Sequence, residues 1–465
     1  MKDKPNILLF FTDDQRFDTI GALENDQIHT PNLDALVARG TTFTHAHIPG
    51  GTSGAVCMPS RAMLHTGRTL FHIDRVGQEI PPAHTTLGEC LRSADYATFG
   101  TGKWHNARSS YARSFSCGDE IFFGGMGDHW NVPAYRFDPT GKYAAKCPYV
   151  AHPTRSNTTE LRDCDHVEAG KHSTDLFVDT SIRFLNEREK SDPFFMYVSL
   201  MAPHDPRTMP QEFLKMYDPA KIELPENFAP GHAIDTGALK VRDELLAAFP
   251  RDPDEIKRHI AEYYAMISHL DHAFGRLVAA LQKKGELDNT IIVFAGDNGL
   301  AVGQHGLMGK QNLYDHSVRV PLVFAGPGIP KGQNRDTLVY LLDIFPTLCD
   351  LTDIETPASV EGRSLLSCLN DPDIEVRKTL YLAYGNSIRG VTDGRHKLIE
   401  YACGATQLFD LSRDPSEMDN IADGHESSAI LPQIRRTLLS LSEEWEDENH
   451  PTGRKFWAQR ADLKQ

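Results

Sequence analysis

The chain has 465 residues and a formal net charge of −16, with 40% of residues hydrophobic and 24% charged, an ordinary globular balance. The acidic excess argues against a general nucleic-acid binder or an anionic-membrane binder, since either needs a dominant basic face. It leaves room for an anionic small substrate, because a few Lys and Arg inside a cleft outweigh a distant negative surface.

The length fits one large domain with an appendage, or two to three domains. No stretch approaches the ~18–20 apolar residues of a membrane span. The apolar run from Ile7 to Phe11 is shorter than a signal-peptide core and runs into Asp13-Asp14, so it reads as a strand. The compartment stays open: cytoplasmic, or periplasmic or secreted with a leader removed. Oligomeric state is equally open. The eight cysteines (57, 90, 117, 147, 164, 349, 368, 403) form no CxxC pair or short framework, although Cys147 and Cys164 can pair across a loop.

In chain order, residues 6–12 are a continuous apolar strand leading into Asp13-Asp14. A helix over 31–39 follows, with Thr30 as N-cap, Pro31 in the first turn and Gly40 as C-cap. Helices are expected over 86–93, 173–190 and 255–284, the last closed by Gly285. Strand 193–200 runs into Ala202-Pro203-His204-Asp205, and strand 290–295 into Asp297-Asn298-Gly299. Apolar runs of this kind fit strands covered on both faces, with ligands bound off their carboxyl ends. Residues 115–170 are rich in Gly, Asp, Pro and aromatics with weak periodicity, and read as loops over the active-site face. Beyond about residue 372, strands over 379–384, 387–392, 397–401 and 406–411 form an antiparallel meander, followed by a helix over 430–446. The expected fold is α/β: a large mixed, mostly parallel sheet sandwiched by helices, with a smaller C-terminal antiparallel sheet plus helix. The expected division is a catalytic domain over 1–371, containing the 115–170 loops, and a C-terminal subdomain over 372–465.

Asp13, Asp14, Asp297 and Asn298 are short oxygen ligands at strand ends. Three carboxylates and a carboxamide suit a hard divalent cation, calcium before magnesium. Taken alone, Asp-Asp and Asp-Asn-Gly are also ordinary turn formers. Adjacent acids at the end of a buried strand need neutralising, and that favours a metal.

The run Cys57-Met58-Pro59-Ser60-Arg61, followed by Thr66-Gly67-Arg68, resembles the signature of the type I, formylglycine-dependent sulfatases of the alkaline phosphatase superfamily. Residues 95–105, ending Gly102-Lys103-Trp104-His105, are similar to the family's second signature, with Asp95 where the family has glycine. Ala202-Pro203-His204, the block from Gly303 through His305 and Lys310 to Tyr314, and the ending from Leu408 to Asn420 also match. The resemblance spans about 5–350 and that ending.

The resemblance implies a sulfuric ester hydrolase whose Cys57 is oxidised to formylglycine by a maturation enzyme. One oxygen of the hydrated aldehyde would attack sulfur; His105 would take the proton from the other and free sulfate. It implies catalytic roles for Cys57, Arg61, Lys103, His105, His204 and Lys310, with Arg61 and the lysines holding sulfate and His204 protonating the departing alcohol. Asp13, Asp14, residue 57, Asp297 and Asn298 would hold the cation, and His305 would touch substrate. Loop residues Trp130, Tyr135, Arg136, Arg155 and Asp165 suit a sugar, so a sulfated mono- or oligosaccharide is the favoured substrate, bound through Trp130 and Arg155. The alternatives are an aryl or alkyl (choline-like) sulfate, or a phosphate or phosphonate ester.

Overall fold

The structure, a computed structural model, describes residues 4–152, 154–189, 192–425 and 427–464. Five strands lie parallel in the order Cys117–Phe122, Ala97–Lys103, Phe194–Ser199, Asn6–Thr12 and Thr290–Gly296. Leu322–Ala325 pairs antiparallel with both Thr290–Gly296 and Gly40–Phe43, and Gln333–Arg335 adds a parallel edge. This is the mixed, mostly parallel sheet expected. Along Asn6–Thr12, Ile7, Leu9 and Phe11 enter one core while Leu8 and Phe10 enter the other. Successive side chains leave opposite faces, so a strand covered on both sides is apolar throughout. Helices Ser173–Glu187 and Pro253–Lys284 cover the Leu8 face, whereas Cys57–Thr66 and Ile344–Leu351 cover the other.

The caps follow the sequence signals unevenly. Thr86 and Glu89 form a reciprocal capping box at the start of Leu87–Ser93, and Gly285, at φ +68°, ends Pro253–Lys284. Thr30 does not cap the Pro31–Arg39 helix: its hydroxyl bonds Asp34 Oδ1 and accepts from Gly21 N instead. Gly40 is extended rather than left-handed, and it begins the next strand, where a Cβ would lie 2.2 Å from Phe324 O. Helix Ser173–Glu187 stops short of the expected 190, and Lys190 lies outside the described residues. Asp95 takes φ +65° after Leu87–Ser93, a left-handed position that aspartate tolerates where the family has glycine.

The segment expected to be loops contains more structure. Cys117–Phe122 joins the main sheet, and Lys146–Val150 pairs with Thr159–Asp163 as an exposed hairpin. Cys147 and Cys164 are free thiols, with Cys147 Sγ facing the Cys164 and Asp165 carbonyls at 3.4 and 2.9 Å.

The C-terminal meander runs Leu380–Tyr384, Ile388–Thr392, His396–Tyr401, Thr406–Asp410. A further strand, Gly50–Gly51, adds in parallel to Leu380–Tyr384, with Gly50 opposite Ala383 and Gly51 opposite Tyr384. The smaller sheet is therefore stitched to the chain just ahead of Cys57, and the same apolar core runs from Ile7 to Trp445. Lys397, fully buried, bridges Asp315 at 2.7 Å and Glu417 at 2.8 Å, so part of the 408–420 ending serves this join. Among the described residues no helix is long and apolar enough to cross a membrane.

Three buried histidines make the fold acid-sensitive. Burial pushes His65 down to about 3, His129 to about 4 and His172 to about 2. Each is therefore neutral when folded and charged when unfolded below its ordinary value of 6.5. The unfolded state binds the extra protons, so stability falls as pH drops through 6.5 towards 4, by up to about 1.4 kcal/mol per pH unit for each such group. Melting followed from pH 7.5 to 5 is expected to show a falling Tm; a flat profile would contradict this reading.

Candidate active site

Four adjacent strands deliver the charged residues to one end of the sheet. Asp13-Asp14 follow Asn6–Thr12, Asp297-Asn298 follow Thr290–Gly296, Lys103 ends Ala97–Lys103, and His204 lies just beyond Phe194–Ser199. This is the crevice outside the carboxyl ends where open α/β sheets bind ligands. Gly102 sets the exit of Lys103: at φ +87° a Cβ there would lie 1.8 Å from Ser199 O, and the strand register shifts at this point. Cys57 is the first residue of its helix, so the positive end of the helix dipole faces the site.

The groups converge tightly. His105 Nδ1 lies 3.2 Å from Cys57 Sγ and Lys103 Nζ 3.7 Å from it. Lys103 also pairs with Asp13 and Lys310 with Asp14, while His204 Nε2 is 3.6 Å from Asp14 Oδ2. Asp14 N donates to Asp297 Oδ1 at 3.0 Å, and Asn298 Nδ2 donates to Asp14 Oδ1 at 2.8 Å. With its amide nitrogen so committed, Asn298 Oδ1 is left buried without a hydrogen-bond partner, and so is Asp13 Oδ1. Ligand atoms of Asp13, Cys57 and Asp297 all lie within 4.8 Å of one another. Orphaned, buried hard oxygens around one point fit a divalent cation of the calcium or magnesium type.

Arg61 is tied into the same cluster. Its guanidinium is fully buried, with Nε and Nη2 on Asp297 Oδ2 at 2.9 and 2.8 Å and Nη1 on Lys103 O at 3.1 Å. A buried guanidinium needs a carboxylate; Asp297 is the one it hydrogen-bonds, and Asp13 Oδ1 lies 3.9 Å from Nη2. Arg61 thus meets the charged cluster through Asp297, with Nη2 left without a hydrogen-bond partner of good geometry.

Burial, with Asp13 beside it, pushes Asp297 up to about 7. Burial also acts to raise Asp13, but Lys103, His204 and Arg61 outweigh it and hold that carboxyl well below the usual range. The Cys57 thiol is pushed up to about 11 by burial, against the pull of Lys103 and Lys310. A protonated thiol is a poor nucleophile. Burial, helped by Lys103 and Arg61, takes His105 down to about 2, so its imidazole is neutral and able to accept a proton.

The three loop residues expected to bind substrate do not join this cluster. His305 stacks on Tyr314 at 4.0 Å and bonds Asn227, in packing against the C-terminal sheet. Trp130 packs edge-on against His172 at 5.1 Å, and its carbonyl accepts from Gly170 N. Arg155 is exposed in the turn between the two hairpin strands. A cleft of about 530 Å³ opens beside His105 instead, with Glu79, Asn106, Arg108, Phe123, Tyr135 and Arg162 in its walls. Nothing in the sequence singled out Arg162, because no local pattern shows which way a hairpin leans. Arg242, Asp243 and Gln311 were passed over; with Asp205 they surround His204 and Lys310.

The sheet order and the charged groups gathered at its carboxyl end are those of an enzyme that hydrolyses esters of tetrahedral oxyanions. The sequence matches the Sulfatase family model over residues 5–354, and the model for the N-sulphoglucosamine sulphohydrolase C-terminal region over 303–444. The chain belongs to the sulfatase family and is a sulfuric ester hydrolase. It is 29% identical to an arylsulfatase of Clostridium perfringens, covering 97% of each chain. It is 25% identical to an N-acetylglucosamine-6-O-sulfatase of Bacteroides thetaiotaomicron, covering 96% of this chain and 87% of that one. A solved structure in complex with its substrate D-glucosamine-2-N,6-O-disulfate superposes with a TM-score of 0.76 at 22% identity, over 97% of this chain and 99% of the other, which supports the fold.

Proposed function

We propose that the protein removes sulfate from a sulfated mono- or oligosaccharide, using formylglycine made from Cys57 and a bound calcium ion. The observation that carries this reading is the placement of Cys57 Sγ among Asp13, Asp297 and His105, where its raised thiol has little nucleophilic value. When formed, the hydrated aldehyde supplies two hydroxyls on one carbon, one to attack sulfur and one to expel the sulfate afterwards. Asp13, Asp14, Asp297, Asn298 and an oxygen at position 57 would hold the cation, which would supply positive charge to anionic oxygens in the pocket. Magnesium would serve the same donor set less readily, since it demands stricter octahedral geometry.

The chain's own residues do the rest. Lys103 and Lys310 set two ammonium charges beside the nucleophile, suited to two sulfate oxygens in a dry site. His105 takes the proton from residue 57. His204 keeps Nδ1 on the Asp205 carbonyl at 2.8 Å, so Nε2 is the atom able to protonate the departing alcohol. The sugar preference is supported by the cleft's mix of arginine, carboxylate and aromatic groups and by the N-acetylglucosamine-6-O-sulfatase relative. In this reading residues 1–371 carry the chemistry and 372–465 form the buttressing subdomain.

Two measurements test the proposal. The tryptic peptide spanning 40–61 is expected to be about 18 Da lighter than its cysteine form, because sulfur and two hydrogens are exchanged for one oxygen. Side-by-side kinetics on sulfated sugars, an aryl sulfate, choline sulfate and an aryl phosphate should favour the sugars. Full sulfatase activity with the intact thiol would overturn the formylglycine reading, and a preference for choline sulfate or phosphate would overturn the substrate reading.

A further inference from the structure

The orientation of His204 is set by residues far along the chain. Its backbone carbonyl accepts from His129 Nε2 at 3.0 Å, and its Nδ1 is tied to the Asp205 carbonyl. The Asp205 carboxylate, with a side chain only 6% exposed, lies 3.4 Å from that same Nδ1. Arg242 grips this carboxylate as a fork: Nη1 donates to Oδ1 at 2.9 Å and Nη2 donates to Oδ2. The same guanidinium reaches Asp243 Oδ1 at 3.1 Å, and Asp243 Oδ2 accepts from Gln311 Nε2 at 2.7 Å. Gln311 Oε1 in turn accepts from the Lys310 amide at 3.0 Å. An unbroken polar path thus joins the loop of His204 to the loop of Lys310.

We propose that Arg242 is a positioning residue for the departure of the alcohol. Its fork on Asp205 holds the His204 ring, and its contact with Asp243 keeps that ring in register with Lys310. The inference rests on the reading of His204 as the proton donor. The Arg242 side chain is 45% exposed, and an exposed ion pair contributes little to stability. The carboxylate it grips is buried, and stripping the partner from a buried charge lets that charge seek another arrangement. The other nearby cation, Arg207, has Nη1 on His259 Nδ1 at 2.6 Å and makes no hydrogen bond to Asp205.

A displaced proton donor is felt in proportion to how much the leaving oxygen needs a proton. An activated nitrophenolate departs nearly unaided, whereas an ordinary phenolate or alkoxide does not. The test is a series of substituted phenyl sulfates, from 4-nitrophenyl to unsubstituted phenyl, with wild type, Arg242→Ala and Arg242→Lys. Arg242→Ala is expected to lower kcat on phenyl sulfate on the order of tenfold more than on 4-nitrophenyl sulfate, with KM changed little. Arg242→Lys, which keeps charge without the fork, should recover only part of the loss. An equal loss across the series would show a merely structural role and overturn the proposal, as would no loss on phenyl sulfate. A His204→Ala variant that loses activity equally on phenyl and 4-nitrophenyl sulfate would instead remove His204 as proton donor, and the proposal with it, leaving the sulfatase assignment in place.

Discussion

Cys57→Ala is expected to fold normally and to lose turnover by about 10⁴-fold or more, the scale seen when a covalent nucleophile is deleted and only the binding and charge-stabilising groups remain. The fold should survive because the Sγ contacts are few: His105 at 3.2 Å and Lys103 at 3.7 Å, and Lys103 keeps Asp13 as its partner. Removing one buried sulfur leaves a small cavity, a cost of about 1–2 kcal/mol, and alanine suits the first turn of Cys57–Thr66. Serine at the same place is expected to restore little, because one hydroxyl replaces the two of a hydrated aldehyde. Steady-state assays with a circular dichroism melt decide the matter. A Cys57→Ala protein with native melting and more than a few per cent of wild-type turnover would remove Cys57 from the chemistry.

The second large effect concerns the cation. Adding Ca²⁺ to chelator-treated protein is expected to raise Tm and restore turnover, since a ligand that binds only the folded state stabilises it by about 2.7 kcal/mol at one hundred times its Kd. In Asp13→Asn the increment should disappear. That variant removes a carboxylate whose Oδ1 has no hydrogen-bond partner and leaves Lys103 without its ion pair. Turnover is expected to fall by on the order of 10³-fold, as when a preorganised charge-stabilising group is lost. Calorimetric titration of Ca²⁺ gives a readout independent of catalysis. Unchanged calcium affinity in Asp13→Asn would exclude Asp13 as a ligand.

Much of the arrangement is readable from residues alone because buried parallel strands announce themselves. Ile7 to Phe11 and Ile291 to Ala295 are apolar without interruption, and the acids directly after them have to lie at the sheet's carboxyl end. Asp13, Asp14, Asp297 and Asn298 therefore meet in space for the same reason that they stand out in sequence. The loops carry no such rule. Trp130, Arg155 and His305 have the right chemistry for a sugar, but their directions are fixed by His172, a hairpin turn and Tyr314, partners that no local pattern specifies. Arg61 and Cys57 share one helix, but the bond from Arg61 to Asp297 depends on the whole sheet, which no local pattern specifies. Gly40 does close the Pro31–Arg39 helix, its N–H on Val37 O, but in an extended conformation; the demand for glycine there is close passage against Phe324.

The two-residue strand Gly50–Gly51 has a consequence in time. Its partners, Ala383 and Tyr384, are synthesised long after Cys57, and domains built from distant segments close only when the last segment arrives. Until then the stretch ahead of Cys57 lacks its neighbour, and afterwards Cys57 is only 2% exposed. On the proposal that Cys57 is oxidised, a maturation enzyme would have to reach it before this closure. Folding would then act as the deadline for modification: conditions that hasten closure would trap more thiol, and those that delay it would allow fuller conversion.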